Sequence, residues 1–89
     1  MKHVLIRVSG RVQGVFYRAS AKQKADELRV QGTVRNNEDG SVSIEAEGDE
    51  ESVGQFVEWC RKGPILSRVD RCDILEGTIQ NLRGFVILR

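Results

Sequence analysis

The segment richest in chemistry is Gly10-Arg11-Val12-Gln13-Gly14-Val15-Phe16-Tyr17-Arg18, a two-glycine loop that closes on an arginine. Glycines allow positive φ and close approach of backbone to ligand, so successive N–H groups can converge into a nest for an anion. The positive end of a following helix adds to that attraction. Arg18 then supplies a planar, permanently charged fork whose geometry matches phosphate oxygens. The bland alternative is an ordinary strand-to-helix turn followed by a solvated arginine. The loop is neither of the common nucleotide motifs. Gly14 is not followed by Lys and Ser or Thr, and the spacing is not Gly-x-Gly-x-x-Gly. It reads as a smaller phosphate nest.

Few other groups are available for a reaction. His3 is the only histidine, and its position at the start of a strand suggests a solvated edge residue rather than a triad member. Cys60 and Cys72 are too far apart in sequence for a Cys-x-x-Cys motif and read as two reduced, partly buried thiols. No His-Glu-x-x-His or calcium-loop pattern occurs, so a metal-free answer is favoured. The acidic clusters Asp26-Glu27, Glu38-Asp39 and Asp49-Glu50-Glu51 read as caps, turns and solvated faces.

If the nest and Arg18 hold a phosphoryl group, the leaving group decides which hydrolysis can proceed. An alkoxide needs protonation to leave. A carboxylate, whose conjugate acid has a pKa of about 4, leaves unaided at neutral pH. A mixed carboxylic-phosphoric anhydride is therefore the fitting substrate. Charge developing on its equatorial oxygens would be met by fixed dipoles and one guanidinium. A neutral polar side chain is still needed to orient the attacking water. Asn36, on the strand before an Asp-Gly turn, is the candidate. Its alternative reading is that Asn36-Asn37 merely starts that turn.

These groups need a scaffold. Lys2 to Ser9 alternates as a central strand with Val4, Ile6 and Val8 inward. Tyr17 to about Val30 has helical composition and spacing, and Gly32 is expected to stop the helix. Thr33–Asn36 and Ser41–Glu47 flank Asn37-Glu38-Asp39-Gly40 as a hairpin, with Val42, Ile44 and Ala46 buried. Asp49 can cap a second helix whose apolar stripe is Val53, Phe56, Val57 and Cys60, with Trp59 at its edge and Gly63-Pro64 as its end. Arg68 to Glu76 reads as a strand with a bulge between Val69 and Cys72, and Phe85 to Arg89 as a final strand. The order β-α-β-β-α-β plus a terminal strand predicts a ferredoxin-like α/β sandwich, its sheet mostly antiparallel and both helices on one face.

Eighty-nine residues form one domain, 1–89, with 39% hydrophobic and 30% charged residues, as in soluble globular proteins. A net charge of +1 gives no whole-molecule attraction to nucleic acid or acidic membranes. No apolar run is long enough for a membrane span, and Met1 to Ile6 meets Arg7 too early for a signal peptide, so a cytoplasmic location is expected; a monomer is the expected state.

The chain resembles the acylphosphatase family. Gly10 to Arg18 is similar to that family's first signature, a Gly-x-Val-Gln-Gly-Val loop closing on the catalytic arginine. The second signature appears as Gly32-Thr33-Val34-Arg35-Asn36, followed by Gly40, Val42 and Gly48. The resemblance covers essentially the whole chain. It implies that Arg18 binds phosphate together with main-chain N–H groups of Val12, Gln13, Gly14, Val15, Phe16, Tyr17 and Arg18. It implies that Asn36 positions the water, and that the substrate is a small acyl phosphate, with inorganic phosphate as product and competing ligand. No cofactor or metal is implied. Two positions depart from the pattern: Thr33 stands where an aromatic residue is usual, and Tyr17 where Phe is usual.

Two rival functions share the architecture. Arg83-Gly84-Phe85-Val86 echoes part of an RNA-stacking motif, yet the chain has only five aromatic residues, Phe16, Tyr17, Phe56, Trp59 and Phe85. A silent anion sensor that keeps the nest but performs no turnover is the other.

Overall fold

A computed structural model describes all residues 1–89. The chain runs β1 (Lys2–Arg11), α1 (Tyr17–Leu28), β2 (Gln31–Asn36), β3 (Val42–Gly48), α2 (Glu50–Lys62), β4 (Arg68–Glu76) and β5 (Phe85–Ile87). The strands form one sheet in the order β4-β1-β3-β2-β5. Every pairing is antiparallel except that of β2 with β5. This is the ferredoxin-like α+β fold, with β5 added at one edge.

The core follows from the period-two alternation of the strands. Val4, Ile6 and Val8 lie opposite Ala46, Ile44 and Val42, and all six are buried. Against that face α1 sets Tyr17, Ala21 and Ala25, and α2 sets Val53, Phe56 and Cys60. Phe56 meets Phe85 edge-on at 5.6 Å between ring centres. Trp59 lies at the edge of the α2 stripe, 5.4 Å from the Tyr17 ring. The Tyr17 hydroxyl donates to the Cys60 carbonyl at 2.7 Å, which satisfies the buried phenol. Both thiols are free. Burial pushes both upward in pKa, making them poor nucleophiles.

Several local expectations are corrected. α1 ends at Leu28 because Arg29 turns left-handed at φ 58, its N–H and that of Val30 closing on the last carbonyls. Gly32 is no helix stop; it sits inside β2, where a Cβ would fall 1.7 Å from the Glu45 carbonyl oxygen. An arginine in left-handed backbone costs about 1–2 kcal/mol, so nothing in its type announces that stop. Asp49 occupies the N-cap position of α2 without a side-chain capping bond. β5 ends at Ile87, short of the expected Arg89. The expected bulge in β4 is present: Ser9 pairs with Arg71 and Gly10 with Val69, leaving Asp70 outside the ladder.

The largest correction concerns His3. The sequence places it at a solvated edge, but it is 1% exposed. Residues 77–84 connect strands at opposite edges of the sheet and must cross the face that carries no helix. They do so over His3 and Glu47: Gly77 N–H donates to the His3 carbonyl at 2.8 Å. Gln80 and Leu82 N–H donate to the two Glu47 carboxylate oxygens at 2.6 Å each. The His3 ring lies between two carboxylates, Nδ1 3.1 Å from Glu47 and Nε2 3.1 Å from Glu45. No helix is long and apolar enough to cross a membrane.

Candidate active site

Where β1 leaves the sheet, the chain enters the loop through Gly10. A side chain there would strike the Arg68 carbonyl at 2.3 Å, so this glycine serves the close approach of β1 to the β4 bulge. Gly14 is different: at φ +72 it has no neighbour within 4 Å of a would-be Cβ, and its role is conformational. Phe16 follows in left-handed backbone at φ 63 as the N-cap of α1, the residue 74% exposed. For a bulky residue that conformation is strained and persists only where its surroundings hold it.

Val12 and Val15 hold the loop by burying their side chains in the core. Gln13, between them, reaches outward to the β2–β3 hairpin. Its Nε2 donates to the carbonyls of Asn37 at 2.8 Å and Ser41 at 2.9 Å. The hairpin turn is braced in turn: Asn37 Nδ2 donates to Ser41 and Ser43 hydroxyls at 2.9 and 2.7 Å. The Ser41 hydroxyl and N–H donate to Asp39. They hold that carboxyl below the usual range, with Arg7 opposite. Loop and hairpin are therefore one braced unit, and the last residue of β2 is Asn36.

Between them lies a cavity of about 300 Å³ lined by Val12, Gly14, Phe16, Tyr17, Arg18, Ala19, Asn36 and Ile87. It is at the small end of ligand pockets, suited to a compact anion. Arg18 enters from the first turn of α1, where Nη1 donates to the Leu88 carbonyl just past β5 at 3.3 Å. No N–H of residues 13–16 is engaged by another backbone group. The first N–H groups of α1 are the orphan donors that any helix leaves. Loop residues with open amide donors, Arg18 and Asn36 thus line one small space.

Of the residues singled out in the sequence, Val12, Gly14, Phe16, Tyr17, Arg18 and Asn36 line this cavity, whereas the Gln13 and Val15 side chains do not. Three contributions were invisible in the sequence: the Gln13 tie, the Ile87 wall and the Leu88 carbonyl. The first needs the hairpin folded beside the loop. The last is backbone, which carries no residue signature. Phe85, the aromatic of the RNA-like echo, is buried in the core and offers no stacking face.

The acylphosphatase family model matches residues 4–87. An acylphosphatase of Methylococcus capsulatus is 51% identical over 90 residues, covering 100% of this chain and 98% of that protein. One from a Nocardioides species is 49% identical, covering 90% of this chain and 81% of that protein. The crystal structure of acylphosphatase from Bacillus subtilis superposes with a TM-score of 0.96 at 36% identity, covering both chains fully. With its two signatures, its fold and these relatives in agreement, the chain belongs to the acylphosphatase family.

Proposed function

We propose that the enzyme hydrolyses the carboxyl-phosphate bond of small acyl phosphates by direct attack of a water that Asn36 orients on a phosphoryl group held by Arg18 and the amides of residues 12–18. The observation that supports this reading most is the lining of a single small cavity by the loop, Arg18 and Asn36. The guanidinium, steadied by the Leu88 carbonyl, neutralises charge on the equatorial oxygens as the transition state loosens. The loop amides act as fixed dipoles that need no reorganisation during reaction. Asn36 accepts a hydrogen bond from the water through its amide oxygen while its NH₂ donates elsewhere. The water oxygen bonds to phosphorus, the bond from phosphorus to the carboxylate oxygen breaks, and the electron pair leaves on a carboxylate. Its conjugate acid has a pKa of about 4, so it departs without a proton from the protein. The products are a carboxylate and inorganic phosphate.

The test is phosphate release from benzoyl phosphate in the presence of a chelator, with inorganic phosphate as competitor. Arg18→Ala and Arg18→Lys should both weaken phosphate competition and remove most turnover, because an ammonium lacks the bidentate fork. Asn36→Ala should lower kcat about a hundredfold with phosphate competition nearly intact. Equal losses in kcat and phosphate affinity for Asn36→Ala would reassign it to phosphate binding. Loss of wild-type turnover on chelation would show that a metal takes part.

A further inference from the structure

Beyond residues 77–84, the face of the sheet opposite the helices is uncovered. It forms a groove of about 490 Å³, larger than the active-site cavity, with Leu5, Leu75 and Leu88 among its lining residues. These leucines are 43%, 69% and 38% exposed, a cost in contact with water that the fold tolerates on this face. Strand register sets two rows across the groove, Leu75-Leu5-Glu45-Thr33 and Asp73-Arg7-Ser43-Arg35. Three of its four charged residues have partners. Arg7 pairs with Asp39, Asp73 with Arg71 at 2.8 Å, and Glu45 lies 3.1 Å from the His3 ring. Arg35 alone has neither an ion pair nor a hydrogen bond. It stands beside Leu88, since Val34 pairs with Ile87 in the parallel ladder. An unpartnered guanidinium next to an apolar floor of ligand-pocket size is complementary to a carboxylate with an apolar tail.

We propose that this groove binds an apolar monocarboxylate, its carboxylate on Arg35 and its tail along Leu5, Leu75 and Leu88. The groove argument stands by itself; the match to the class of compound released by acyl phosphate hydrolysis rests on the reaction proposed above. Groove and active site meet at the same strand ends. Arg35 immediately precedes Asn36, and Leu88 lines the groove while its carbonyl receives Arg18. A carboxylate in the groove therefore lies on the opposite side of β2 and β5 from the phosphate cavity.

The experiment is a ¹H–¹⁵N NMR titration of the full chain with octanoate, and with octanamide as the uncharged control. Saturable shifts are expected at the amides of Leu5, Thr33, Arg35, Leu75 and Leu88, and they should persist in Arg18→Ala. Arg35→Gln, at an exposed and unpaired site, should weaken octanoate about fivefold, the scale of a solvent-screened charge contact. Octanamide should bind the wild type weaker by a similar factor. The proposal fails if octanoate does not saturate, if shifts are confined to residues 12–18 and vanish in Arg18→Ala, or if Arg35→Gln binds unchanged. Shifts of the groove residues that depend on protein concentration without ligand would place a second copy there and overturn it too. Absence of phosphate release from benzoyl phosphate by the wild type would instead remove the proposed reaction and leave the octanoate result standing.

Discussion

The two ends of β1 carry the same chemistry in opposite states. Near His3, the N–H groups of Gln80 and Leu82 close on the Glu47 carboxylate at 2.6 Å each, an anion supplied by the chain itself. At the far end, the N–H groups of residues 13–16 have no backbone partner, and Gly14 and Phe16 line a cavity with Arg18. The first arrangement is complete on folding and fastens the connection to β5. On the proposed reading the second is complete only when an anion arrives from outside. Open donors must be held apart by something, and here that is left-handed backbone at Gly14 and Phe16, two buried valines, and the Gln13 bonds to the hairpin. A filled amide site stabilises the fold; an unfilled one, on the function proposed above, keeps its binding energy for substrate.

The largest expected effect breaks the comparison at its open end. Arg18→Ala should lower kcat/KM for benzoyl phosphate about 10³-fold, about 4 kcal/mol of transition-state stabilisation, with little change in Tm. A large drop in Tm would mean that Arg18 belongs to the scaffold instead. The closed end should behave in the reverse way, and pH reads it. The Gln80 N–H first, then the Leu82 N–H and His3, hold the Glu47 carboxyl below the usual range against the opposing effect of burial. A carboxylate whose folded pKa is depressed contributes stability that is complete above its unfolded value, about 4.3. That contribution is lost as pH falls through the folded value. Glu47→Gln should therefore lower Tm at neutral pH and flatten its decline in acid. Denaturation scans that superimpose for the two proteins at neutral pH would show that the carboxylate is not the fastening.

A smaller effect probes the bracing of the open end. Gln13→Ala removes two hydrogen bonds at about 1 kcal/mol each, so a stability loss of about 2 kcal/mol is expected in denaturant melts. Amide exchange should quicken in the hairpin turn as well as in the loop. Exchange confined to one of them would show that they are not a single unit. The smallest effect is that of Gly14→Ala, which meets no neighbour and should cost about 1 kcal/mol from left-handed backbone alone. A much larger loss would reveal packing at that position.

Much of this was legible because local patterns and packing agreed. The inward triplets Val4-Ile6-Val8 and Val42-Ile44-Ala46 are period-two signals, and burial on one face obliges that register. The Asp39-Gly40 turn, the α2 stripe and the β4 bulge each carry their own residue signature. That Arg18 and Asn36 share one cavity was legible for a chemical reason: few other groups could do anything, and the loop spacing resembles a known signature. The helix stop at Arg29 was not, since its backbone is imposed by neighbours rather than by residue type. His3 was misread because a histidine at the start of a strand says nothing of a distant segment that will cover it.

The sequence by itself determined the alternation that builds the sheet, the helical stripes that cover one face, and the residue types available for phosphate chemistry, because these depend on neighbours within a few positions. Only the tertiary structure decided that Gln13 clasps the hairpin, that Leu88 steadies Arg18, that Glu47 receives the crossing segment, and that Arg35 is left without a partner. Each of those depends on residues far apart in the chain. Their pairing is set by which donors and charges remain unsatisfied once the sheet has closed.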